Sequence, residues 1–429
     1  MKKFLLFSVL IVVIIGVTFS CVKRVKNDNK VVIRVAYWGG PEEIKIITDL
    51  MKQWEATHTN IIVKLQHTKG GSDYISKILT QMAGDSAPDI VFTEVNVFVP
   101  MYEKNIFLDL TPFIKKDKEF NINDFFQPVV KRFTRNGEIY VIPRDIAPFA
   151  CVYYNKQLFD EAGVAYPTDN WNFNDLLRIA KKLTKRDANG NIIQYGFYSW
   201  SWMNFVYSFG GKITDSVEHP AKCMLGSPAS LRGLQFYMDL CNKYKVSPSP
   251  LALKSLDQGP AEMFMAGKLA MMTSGIWETP RFRKIKSFDW DIVMFPKGPV
   301  KRAFGSGGSG YAITKATKHP EEAWEVLKAL AGVKGQEWLA KTGLAQPANR
   351  IVAEGKYFAK SKEKPLNKKM LNKAVNYIIF EPFHSKWQEA QDKYLRESLD
   401  MLFSNELSID EFKNKVVKNI DNLMFGEKK

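Results

Sequence analysis

The sequence predicts an α/β protein built as two lobes joined by three crossings. Three observations carry that reading. The chain has 429 residues, long for one core and enough for two. The stretch 31–94 alternates strand and helix signals, the order of a largely parallel sheet. Apolar runs broken by prolines, near 143–149 and 291–299, read as crossings between two bodies.

The elements follow in order. VVIRVAYW (31–38) is a β-branched strand that stops at Gly39-Gly40. EEIKIITDLMKQWEA (42–56) sets Ile44, Ile47, Leu50, Met51 and Trp54 on one helical face. IIVKLQ (61–66) is the next strand, a helix falls near 72–83, and APDIVFTE (87–94) holds a third strand. IYVIPRDIAPFACVYYNK (139–156) gives two short strands around the first crossing. Asn172 caps a helix in NWNFNDLLRIAKKLT, with Asp175 three residues on. Helical stripes recur at 227–244 and 319–331, and again from Lys386 to about Met424. FMAGKLAMMTSGIW (264–277) reads as a helix end, a strand at Leu269–Met272, a break at Ser274-Gly275, and then Trp277.

Two lysines, an apolar run from Phe4 to Phe19 and Ser20-Cys21 lay out a secretory signal. The run is short for a spanning helix, which needs roughly 20 residues. A Cys after a small residue is similar to a bacterial lipoprotein box, with Thr18 where leucine is usual. Cys21 is therefore the expected lipidation site, and 22–30 a tether. The alternatives are a plain secretory signal or an uncleaved anchor. The remaining cysteines, Cys151, Cys223 and Cys241, have no metal-ligand spacing and are expected as buried thiols. The net charge of +16 is spread out, densest in KYFAKSKEKPLNKK (356–369). It reads as a solvated basic surface, and nucleic acid is not expected behind an export signal.

Several of these pieces, in this order, resemble the extracellular solute-binding proteins of ABC importers, in the group of maltose-binding-protein-like sugar binders. They are APDIVFTE, IYVIP, VYYNKQLFDEAGV, FGGKITD, FMAGKLAMMTSGIW, FPKGP, GGSGYAITKATKHPEEAWEVLKAL and GLAQPANR, spanning nearly the whole chain after the signal. The resemblance implies a two-lobed periplasmic-binding-protein-like fold, crossings near 143–149, 291–299 and 346–352, and hinge closure on a solute. The first lobe is expected to hold 31–143 and 298–346, the second 149–291 and 352–429. It also implies an exported monomer, held to the membrane by a lipid anchor, that serves an ABC permease and needs no cofactor or metal.

The candidate site residues come mainly from the aromatics. Of ten tryptophans, Trp38, Trp200, Trp202, Trp277 and Trp387 stand beside Gly, Pro or polar breaks rather than on helical stripes. A pyranose has an apolar C–H face that a flat ring matches. Ligands of open α/β sheets collect outside the carboxyl ends of strands, where Trp38 and Trp277 fall. The resemblance implies sugar stacking for Trp277 and Trp387. For each, the competing reading is a lid over the core. Sugar hydroxyls need carboxylates, amides or arginines; the candidates are Glu42, Glu94, Asn96, Arg144, Asp145 and Arg350. In GSGGSG (305–310), Gly307 and Gly308 would let backbone amides approach a ligand. No Lys-Ser/Thr follows, so a P-loop is excluded. Three other functions remain open: binding of a charged non-sugar such as a glycerol phosphodiester or a polyamine, glycoside hydrolysis by Glu94 with Asp145, and a surface adhesin, which needs no closing cleft.

Overall fold

The computed structural model describes residues 30–426, apart from positions 69, 71, 85 and 256–258. The signal segment and Cys21 lie outside the described residues.

The first lobe is organised by a five-stranded sheet in the order Ile61–His67, Val31–Tyr37, Ile90–Glu94, Ser309–Ile313, Ile142–Pro143. The first three strands are parallel, and Ser309–Ile313 runs antiparallel to both neighbours. Val31–Tyr37 and Ile90–Glu94 pair side by side, so both deliver their carboxyl ends to the same edge. The helix Pro41–Glu55 buries Ile46, Ile47, Leu50 and Met51 on this sheet. Ile44 and Trp54 of the expected face are only partly buried against it.

The second lobe centres on an antiparallel sheet of Met271–Ser274, Cys151–Asn155 and Trp290–Met294. Its helix Phe173–Leu183 starts in a complete capping box, with Asn172 accepting from Asp175 N and Asp175 from Asn172 N. The strand after FMAGK begins two residues later than the spacing suggests and runs to Ser274. Cys151, Cys223 and Cys241 are buried free thiols.

A small sheet of Ile378–Phe380, Phe304–Gly307 and Ala147–Pro148 lies between the lobes. The chain leaves the first core at Ile146 and enters the second at Phe149. It returns between Phe304 and Tyr311, and crosses again between Ala348 and Phe358. The second crossing thus falls later than the expected 291–299. Residues 290–294 form a strand of the second sheet, and Phe295, Ala303 and Phe304 are buried in the second core. Pro296 and Gly298 are buried as well, and a Cβ at Gly298 would stand 2.4 Å from Ser208 Cβ, so the first lobe does not resume at 298.

Five residues of GSGGSG belong to the two strands Phe304–Gly307 and Ser309–Ile313, and Gly308 joins them. A Cβ at Gly310 would stand 2.2 Å from the Ile142 carbonyl oxygen, so this glycine lets two strands pair closely.

Candidate functional site

Between the lobes lies a cavity of about 1160 Å³. Ten of the sequence candidates line it: Trp38, Glu94, Asn96, Arg144, Asp145, Trp200, Trp202, Trp277, Gly307 and Gly308.

The first-lobe wall is polar and is organised by Arg144, which is 6% exposed. Its Nη2 pairs with Glu43 Oε1 at 2.6 Å, and its Nε donates to Asp145 Oδ2 at 2.9 Å and to Ser309 Oγ at 3.0 Å. The guanidinium carbon sits 4.4 Å from the centre of the Phe92 ring, a cation–π contact. Burial works against its charge, but Glu43 and Asp145 more than offset this and raise its pKa. Asp145 is fully engaged: Oδ1 accepts from Ser309 N at 2.9 Å, and Oδ2 takes Arg144 and the Ser309 hydroxyl.

Glu94 ends the third strand and is left half-buried in the cavity, accepting no hydrogen bond from the described residues through its carboxylate. Burial, then the charges of Asp145 and Glu43, push its pKa up to about 7. Asn96 Oδ1 and Gln346 Oε1 are also buried at the cavity wall with no partner among the described residues. Buried acceptors without a donor are uncommon in folded proteins, so a donor from a ligand belongs here.

The opposite wall is aromatic. Phe149 stands edge-on to Trp200 and Trp277, with ring centres 4.8 Å and 6.3 Å away. Trp200 and Trp277 are 6.5 Å apart and inclined by 49°. Trp277 rides on a single turn, Ile276–Glu278, just past the strand end. It is 39% exposed, among the most exposed large apolar side chains. It faces the cavity rather than closing a core. Trp202 is 7% exposed, at the start of the helix Trp202–Ser208. Trp38 is half-buried across the cleft, edge-on to Tyr74 and Phe92 with ring centres at 4.5 Å in both cases.

Three candidates lie elsewhere. Glu42 points away from the cavity; its Oε1 accepts from Lys284 of the second lobe at 2.9 Å, and this hydrogen bond holds its pKa below the usual carboxylate range. One residue along a helix turns a side chain by about 100°, so Glu43 rather than Glu42 faces Arg144. Gly39 makes room for it, since a Cβ there would stand 2.6 Å from Glu43 Oε2. Arg350 opens the helix Arg350–Glu354, is exposed, and donates to the Asn123 carbonyl at 2.8 Å. Trp387 is 1% exposed and buried in the second core, so it does not offer a face to the cavity. Its Nε1 instead donates to Glu381 Oε2.

Sequence reasoning missed Glu43, Phe149, Gln346 and Glu381, all in the cavity wall. The available signals were adjacency to Glu42 and Pro382 for Glu43 and Glu381, and a place in the expected crossings 143–149 and 346–352 for Phe149 and Gln346.

The family model described as bacterial extracellular solute-binding protein matches residues 39–337. Among curated relatives, the arabinooligosaccharide-binding protein of Bacillus subtilis is 22% identical over 349 residues, 79% of this chain and 77% of its own. An ABC substrate-binding protein of Listeria monocytogenes, solved in complex with cycloalternan, superposes with a TM-score of 0.81 at 25% identity, covering 92% of this chain and 98% of its own. A maltose-bound MalE3 of T. maritima superposes with a TM-score of 0.78 at 20% identity, covering 92% of this chain and all of its own, 100%. The polar wall, the aromatic wall and the two-lobed frame between them therefore have a family: the chain belongs to the bacterial extracellular solute-binding proteins.

Proposed function

We propose that this protein is the extracytoplasmic substrate-binding component of an ABC importer. It captures a sugar or oligosaccharide between its lobes, closes on it, and presents the closed form to a membrane permease. The observation that carries this reading is the pairing of two unlike walls. Trp200, Trp277 and Phe149 offer flat apolar faces, while Glu94, Asn96 and Gln346 offer acceptors opposite them. A sugar ring has both surfaces, an apolar face and a rim of hydroxyl donors. The names of the relatives point to the same ligand class. Export behind the signal segment and a lipid on Cys21 complete the proposal, with the monomer as the working unit.

The inner cavity is acidic although the chain carries +16. Five carboxylates, Glu43, Glu94, Asp145, Glu381 and Asp400, line it against three cations, Arg144, Lys254 and Arg396, and Glu43 and Asp145 already neutralise the charge of Arg144. A phosphodiester would meet carboxylates there, so that charged non-sugar is disfavoured. Hydrolysis is disfavoured as well, because both oxygens of Asp145 are committed to Arg144 and Ser309.

A thermal-shift panel tests the proposal. It sets neutral mono- and oligosaccharides against uronates and glycerophosphodiesters. A neutral glycan at 100 times its Kd is expected to stabilise the protein by about 2.7 kcal/mol. Stabilisation by the anionic members alone overturns the reading.

A further inference from the structure

The second lobe reaches the first along a basic edge. Past Trp277 the chain enters the short helix Thr279–Phe282, and this turn and the residues after it carry Arg281, Arg283 and Lys284. Lys284 Nζ pairs with Glu42 Oε1 of the first lobe at 2.9 Å. The charge of Arg281 also favours the Glu42 carboxylate. Arg283 Nη1 donates to the Lys341 carbonyl at 3.0 Å, in the last turn of the first-lobe helix Val333–Thr342. Its Nε donates to the Lys364 carbonyl of its own lobe at 2.8 Å, which fixes the direction of the guanidinium.

Both targets on the first lobe are electronegative. Glu42 is a carboxylate in the first turn of Pro41–Glu55. The last carbonyls of Val333–Thr342 lack donors within the helix and carry the negative end of its dipole. The surfaces also fit. Gly343 ends that helix at φ 84°, and a Cβ there would stand 2.6 Å from Thr279 Cγ2 and 2.9 Å from Arg283 Cζ. Glycine at this position serves both the left-handed helix end and the approach of the second lobe.

The ion pair stands beside the two walls. Glu42 directly precedes Glu43 of the polar wall, and the segment that carries Lys284 begins at Trp277 of the aromatic wall. Neither Glu42 nor Lys284 is among the described residues that line the cavity. The Lys284 side chain is 64% exposed and that of Glu42 33%, too open for the pair to add much to folding. Its geometry matters for closure instead. An ion pair between two bodies forms only when they are close, so its contribution falls on the closed form.

We infer that Glu42 and Lys284, seconded by Arg281 and Arg283, form a closing latch that raises ligand affinity without touching the ligand and makes capture of a neutral solute depend on ionic strength. The inference rests on the hinge closure proposed above.

The test is calorimetric titration with maltotriose, mannotriose and arabinotriose. The wild type is compared with Lys284→Ala, Lys284→Glu and the charge swap Glu42→Lys with Lys284→Glu, with a melting curve on each sample to show that it is folded. For a probe that binds, Lys284→Ala is expected to lose about two- to fivefold in affinity, the range of an exposed pair. Lys284→Glu is expected to lose more, and the swap to recover most of that loss. Raising NaCl from about 20 to about 500 mM is expected to weaken binding by the wild type and to leave Lys284→Ala nearly unchanged. Equal affinity in all four proteins, a loss that the swap does not recover, or a salt dependence that Lys284→Ala shares overturns the latch and leaves sugar capture standing. Where no probe binds, sugar capture loses its support, and scattering from the ligand-free protein decides the latch. Lys284→Glu is then expected to show a larger radius of gyration than the wild type at low salt. Equal radii overturn the latch.

Discussion

Arg144→Met is expected to cost about 3–5 kcal/mol of folding stability, the usual penalty for breaking a buried charge network by removing one partner. The guanidinium is 6% exposed and holds Glu43 and Asp145 together across two segments of the first lobe. Without it, two carboxylates stand beside Glu94, whose pKa is already about 7. They must either remain charged in a poorly hydrated wall or take up protons. Replacing Glu43 by Gln in the same variant is expected to recover part of the loss, because one uncompensated charge disappears with its partner. Urea denaturation measures both, as a drop in midpoint at unchanged slope. A loss under about 1 kcal/mol for the single variant would place Arg144 in the class of exposed ion pairs and contradict the burial argument.

Trp277→Ala is expected to weaken glycan binding by about 2–4 kcal/mol, on the order of 30- to 1,000-fold in Kd. A tryptophan buries 150–250 Å² in all. With 39% of its surface exposed, at most roughly 60–100 Å² remain for a ligand to cover, or ~1.5–2.5 kcal/mol at 25 cal/mol/Å². The stacking geometry adds ~0.5–1.5 kcal/mol. The melting temperature is expected to stay near that of the wild type, because the ring supports neither core. Trp387→Ala is the contrast: a ring 1% exposed in the second core falls among truncations that cost ~3–5 kcal/mol of stability. Calorimetric titration and a melting curve on the same samples separate the two tryptophans. A collapsed melting temperature for Trp277→Ala, or unchanged affinity, would return that residue to the core.

Much of the frame was legible because it rests on local rules. The helix at 41–55 and the cap at Asn172 follow from side-chain periodicity and from an acceptor placed ahead of an apolar run. The position of Trp38 and Trp277 at strand ends was likewise visible, since a strand that stops at glycine exposes what comes next. The errors share a different cause: each depended on contacts in space that local patterns do not encode. Glu42 and Glu43 are neighbours in sequence, yet one meets Lys284 on the surface and the other Arg144 in the wall. Trp387 stands beside a polar break like the cleft tryptophans, but its four-residue helical turn, Trp387–Ala390, rotates it into the core. Gly307 and Gly308 of GSGGSG line the cavity, while the close approach that Gly310 allows, to Ile142, involves a residue distant in sequence. Residues 290–294 looked like a crossing because of the prolines and glycine after them; only the pairing with Cys151–Asn155 shows a sheet strand.

The central claim is that the ligand sits between the lobes and draws them together. The ion pair Glu42–Lys284, at 2.9 Å, already joins the first lobe to the second. Each of the three passages between the cores is short enough to act as a hinge segment. A ligand that touches the polar wall of one lobe and the aromatic wall of the other selects the closed form by its differential contacts. Small-angle X-ray scattering, on the free protein and on the protein saturated with the glycan found by calorimetry, measures this directly. The expected result is a smaller radius of gyration in the saturated sample. An unchanged radius at saturation would contradict closure.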